Sequence, residues 1–131
     1  MPTRSLSEPG LPWESGRTFR VWGYGIGHSH LLLRSVGLSG QQTINVLFEA
    51  VELMKLRRTY PDLVIRRATD EEEPVFSELA ELPVRLLHLA LSSTSTTGFV
   101  ACSRVVASVS DDPEDLSLAA GDLLFSVHAR T

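Results

Sequence analysis

Residues 18–36, TFRVWGYGIGHSHLLLRSV, decide how the rest of the chain is read. Two runs of strand-forming residues flank Gly25-Ile26-Gly27, and a short glycine-bearing connection between such runs predicts a β-hairpin. With a three-residue loop, Gly27 supplies the positive φ that such loops need. Tyr24 then opposes His28, Trp22 opposes His30, Val21 opposes Leu31, Arg20 opposes Leu32 and Phe19 opposes Leu33. Side chains alternate along a strand, so one face carries Phe19, Val21, Leu31 and Leu33, with the period of a buried side. The other carries Arg20, Trp22, Tyr24, His28, His30, Leu32 and Arg34. A two-residue loop would mix Arg20 with Leu31 and Leu33. The three-residue register separates polar from apolar and is preferred for that reason.

The chain has 131 residues, 43% of them hydrophobic and 21% charged, which is ordinary for one soluble domain with a sizeable core. No apolar run approaches the roughly 20 residues of a membrane helix, and residues 1–16 lack the apolar centre of a secretory signal. The formal net charge is −4. A bulk basic footprint for nucleic acid is therefore missing. The single cysteine, Cys102, excludes an internal disulfide and suits a reducing, cytoplasmic setting.

Outward from the hairpin, residues 1–16 hold three prolines, two glycines and three serines and read as a flexible arm. Trp13 is the residue in it able to dock on the domain, which spans 17–131. Residues 43–53 alternate as a strand, with a helix over 46–56 as the competing reading. Tyr60-Pro61-Asp62 is a turn, and 63–67 a short strand. Pro74, just after a run of acids, starts a short helix over 75–82. Strands follow over 84–91, 99–109 and 123–129. Asp112-Pro113-Glu114-Asp115 starts a second short helix, which Gly121 ends. With no room for long crossovers, neighbouring strands should be antiparallel. The expected fold is mainly β, an antiparallel barrel or sandwich of roughly seven strands with two short helices. An α+β layer fold is the alternative if residues 46–56 are helical.

Few residues suggest chemistry. His28-Ser29-His30 puts two imidazoles on one face of a strand, a spacing that can begin a zinc-type site if a third ligand arrives. The pair resembles the His-x-His of the cupin metal strand. Leu31 to Arg34 stand where that family has a carboxylate, and its second motif is missing, so nothing is carried over from it. A site would have to recruit His88 or His128. Gly37-Leu38-Ser39-Gly40 is one residue short of a nucleophile elbow. Cys102 lies among Val100, Ala101 and Val105, surroundings of an inert thiol. Gly23, Gly25 and Gly27 do not open a helix, so they form no phosphate loop. A complete catalytic set is lacking.

The reading is a small non-enzymatic binding protein that acts through Arg20, Trp22, Tyr24, His28, His30 and Arg34. Aromatics and arginine anchor protein interfaces, so the partner expected is another protein or a second copy of the chain. No cofactor is required. The alternative is a β-barrel with a small-ligand or metal site entered through His28 and His30, and possible enzymatic activity.

Overall fold

A computed structural model describes residues 10–25, 29–37, 42–82, 84–110 and 122–129. These form eleven strands and one short 3-10 helix. In chain order the strands are β1 (Trp13–Glu14), β2 (Phe19–Gly25), β3 (His30–Ser35), β4 (Thr43–Glu49), β5 (Leu53–Lys55) and β6 (Thr59–Tyr60). Then come β7 (Val64–Arg67), the 3-10 helix (Glu73–Leu79), β8 (Leu87–Ser92), β9 (Thr97–Cys102), β10 (Arg104–Ser110) and β11 (Asp122–His128). The protein is mainly β, with two antiparallel sheets. One has the order β1-β7-β8-β9-β5, the other β11-β10-β4-β3-β2-β6. Every described pairing is antiparallel. The described strands do not close into a barrel.

One core joins the two sheets. The larger sheet contributes Phe19, Leu31, Leu33, Val46, Phe48, Val105, Ala107 and Phe125, and the smaller contributes Ile65, Leu87, Leu89, Leu91, Val100 and Cys102. In the larger sheet the period-2 pattern sets the inward row directly: Val21, Leu33, Val46, Ala107 and Phe125 lie side by side across five strands. Trp13 does dock. Its ring meets Phe19 edge-on at 5.9 Å and Phe125 at 5.2 Å, while β1 pairs with Ile65 and Val64. Part of the expected arm is thus a strand, and residues 1–9 lie outside the described residues.

Several expectations need correction. The strand expected over 43–53 stops at Glu49, and Ala50 takes a φ of 53°. The chain then turns from the larger sheet to the smaller, where β5 continues. Residues 46–56 are therefore not helical. The single strand expected over 99–109 breaks at Ser103 into β9 and β10, which belong to different sheets. The two breaks are neighbours. The Ser103 N–H and hydroxyl both donate to the Glu49 carbonyl, at 3.0 and 3.2 Å. The Glu52 N–H donates to the Ala101 carbonyl at 2.9 Å. One two-stranded ribbon bends there and serves both sheets. The roughly seven expected strands become eleven because such bends divide long runs and because two-residue pairings carry no sequence signal. The first expected helix is a 3-10 turn, Glu73–Leu79. The second, over 112–120, lies outside the described residues.

The 3-10 helix covers the outer face of the smaller sheet. Phe76 stacks on His88 at 4.3 Å and meets Phe99 edge-on at 6.0 Å. One ion pair and one histidine–carboxylate contact hold it down. Arg66 donates to both Glu72 carboxylate oxygens at 2.7 and 2.9 Å, and His88 Nδ1 lies 2.8 Å from Glu73 Oε1.

Candidate functional site

The hairpin exists, with a register different from the expected one. Phe19 pairs with Ser35, Arg20 with Arg34 and Val21 with Leu33. Compared with the three-residue loop this is a slip of two residues, so the two faces below Trp22 are preserved. Gly25 pairs with His30, which leaves residues 26–29 as the connection. The slip has a reason at the base of the ribbon. The Val36 N–H donates to the Thr18 carbonyl at 2.8 Å, and the Ser35 hydroxyl accepts from the Ile44 N–H at 2.9 Å. Both bonds fasten residues beyond the expected pairing.

A β-bulge interrupts β2 at Trp22, between Val21 and Gly23. A bulge places one extra residue in one strand and re-aims the side chains beyond it. Gly23 then pairs with Leu32 and Tyr24 with Leu31. Tyr24 therefore takes the register of the inward row, although at the ribbon's tip it stays exposed. Trp22 is left on the side of Arg20 and Arg34. The residue is 53% exposed, and the Arg34 guanidinium carbon lies 4.9 Å from its ring centroid. Arg34 itself is only 4% exposed. A buried arginine against an aromatic face both gains cation–π attraction and fixes the ring.

Arg20, Trp22 and Arg34 line a cleft of about 220 Å³ together with Ser35, Val36, Gly37 and Thr43. Arg20 is exposed and directly opposite Arg34. Like charges placed opposite one another disfavour the pairing, so this spot is electrostatically suited to an anionic group. Beside the cleft, β6 pairs with β2 only at Phe19 and Arg20, and the Val21 N–H bonds to the Arg58 carbonyl at 2.9 Å. From Trp22 to Gly25 no described strand covers that edge of β2.

Next to Thr59, the strand partner of Arg20, stands Tyr60, the largest fully buried side chain among the described residues. Its hydroxyl accepts from the Arg57 N–H at 2.7 Å, and burial raises its pKa above the ordinary tyrosine value. Tyr60 pairs with Phe19, and Thr59 with Arg20.

Of the six residues singled out in the sequence, the cleft gathers Arg20, Trp22 and Arg34. His30 shares their face, at the register of Gly25. Tyr24 stands past the bulge, and His28 lies outside the described residues. Among the described residues no group of three or more His, Cys, Asp or Glu stands close enough to hold a metal ion. His88 bonds Glu73, and His128 ends β11. Cys102 is buried, and desolvation pushes its thiol up to about 12, so it is not a nucleophile.

One feature at this face gave no sequence signal. Arg20, Arg34, Asn45 and Ser108 form a single row across four strands. Asn45 is 1% and Ser108 2% exposed, yet among the described residues both amide atoms of Asn45 and the Ser108 hydroxyl have no hydrogen-bond partner. A buried polar group left so costs about 1–3 kcal/mol.

No family model, no curated protein and no solved structure matches the chain. No helix among the described residues is long and apolar enough to cross a membrane.

Proposed function

We propose that the protein is a non-enzymatic binding module that recognises a partner protein through the Arg20–Trp22–Arg34 cleft and the adjoining edge of β2. The observation that carries this reading is Trp22. The residue is half exposed, yet its ring is held in position by a buried arginine. An aromatic ordered before binding loses little entropy on association, which is the property of an interface anchor. Arg20 adds charge selection, and the uncovered edge of β2 offers backbone groups to an incoming strand. The partner segment that fits is extended, with a carboxylate for Arg20 and an apolar side chain for Trp22. It belongs to another protein or to a second copy of this chain.

The scaffold is read as a two-sheet sandwich, whose role is to hold the hairpin. The setting is read as cytoplasmic, in keeping with one buried thiol. The test places a photoactivatable benzoylphenylalanine at position 22 in living cells, with Leu123, 62% exposed, as the control position. A discrete adduct at 22, absent at 123 and lost with Arg20→Glu, is expected. An adduct at twice the chain mass identifies a second copy. No adduct at 22, or equal adducts at both positions, removes the proposal.

A further inference from the structure

A second cleft, of about 250 Å³, is lined by Arg67, Arg85, Leu86, Leu87, His128 and Ala129. It shares no residue with the hairpin cleft. Three segments meet there. Arg67 ends β7 in the smaller sheet, His128 ends β11 in the larger one, and Arg85 stands in the segment that leads into β8. Their meeting follows from the ribbon bend. Arg67 pairs with Leu89, the Ala68 N–H bonds the His88 carbonyl, and Leu87 pairs with Cys102. On the other side of Ser103, Arg104 pairs with His128, and the Ala129 N–H bonds the Ser103 carbonyl. The bend thus brings the ends of β7 and β11 to one place.

The charge there is lopsided. The chain carries −4 overall, yet two arginines and a histidine stand together with no carboxylate among the described lining residues. Two acids of the segment that follows β7 are engaged elsewhere. Glu72 is held by Arg66, and Glu73, in the adjoining depression shared through Arg67 and Leu86, is held by His88. The side chains of Arg67, Arg85 and His128 make no ion pair among the described residues. Guanidinium forks and an imidazole approaching from three directions suit a compact tetrahedral oxyanion, which can accept a separate donor on each oxygen.

We propose that this cleft binds a phosphate monoester, the phosphate held by Arg67, Arg85 and His128, with Leu86 and Leu87 against the organic part. The same headgroup chemistry occurs on soluble esters and on lipids, and the test separates them. The full chain is titrated with phenyl phosphate at constant ionic strength, and backbone amide shifts are followed by NMR. In parallel, it is sedimented with phosphatidylcholine vesicles with and without phosphatidic acid. Saturable shifts at Arg67, Leu87, His128 and Ala129 are expected. Arg67→Ala and Arg85→Ala should each weaken binding about tenfold, as loss of a charge-assisted bond implies. Arg58→Ala, which removes the same charge elsewhere on the surface, should change it by less than about twofold. Vesicle binding that needs phosphatidic acid and Arg67, without a response to phenyl phosphate, assigns the ester to a lipid. Failure of both probes, or an equal loss in Arg58→Ala, overturns the site. All three positions are exposed, and the melting temperature of each variant confirms that it folds.

Discussion

Gly98 shows how the core supports the hairpin cleft at the level of single atoms. A Cβ at this position would collide with the Tyr60 hydroxyl and lie 3.1 Å from the Lys55 carbonyl oxygen. The fully buried Tyr60 ring cannot yield without losing its bond to the Arg57 N–H. Gly98→Ala should therefore cost about 2 kcal/mol or more, in the range of overpacked cores, measured as a shift in urea midpoint. A neutral result would show that Tyr60 has room to move. Asn45 makes the opposite case. Among the described residues, both of its amide atoms and the facing Ser108 hydroxyl are buried without partners. Replacing both by apolar residues of similar shape, Asn45→Val with Ser108→Ala, should leave stability unchanged or raise it by about 1 kcal/mol. A loss greater than about 2 kcal/mol in chemical denaturation would mean these groups are satisfied in solution. The sequence concealed this row. Leu47, Val51 and Leu53 on the second face of the expected strand that holds Asn45 do signal that this face is partly covered, but nothing local says that Ser108 lies opposite Asn45.

Among the elements, the 3-10 helix depends on charge. The Arg66 bond holds the Glu72 carboxyl down to about 2, against an ordinary 4.5. Its folded-state pKa is thus depressed. The stabilisation is complete above about 4.5 and fades as pH falls toward about 2. The pair is partly exposed, so its worth is about 1 kcal/mol at most. Between about pH 6 and about pH 3 the wild-type protein should lose more urea stability than Glu72→Gln, which has no such proton to gain. Equal losses would refute the tether. This helix was legible in sequence because Pro74 and the preceding acids are local signals. The bend at Ser103 was not. The run 99–109 holds no glycine or proline, and what breaks it is a long-range bond to the Glu49 carbonyl. The same applies to the hairpin: its faces could be read from alternation, whereas the bulge at Trp22 depends on partners on β3.

At the scale of the whole molecule, antiparallel sheets and a filled apolar core could be inferred from period-2 patterning. Which strands fall in which sheet and the convergence of Arg67, Arg85 and His128 could not, because those residues meet only through strand order. The role proposed for the hairpin requires a separation of duties: the core makes the fold, and Trp22 with Arg20 is surface that the fold does not need. Equilibrium urea unfolding of the Trp22→Ala/Arg20→Ala protein measures that separation directly. The loss should stay within about 1 kcal/mol, the worth of one surface cation–π contact. A loss of about 3 kcal/mol or more, as for an aromatic removed from a core, would make Trp22 a structural residue and contradict its assignment as a binding anchor.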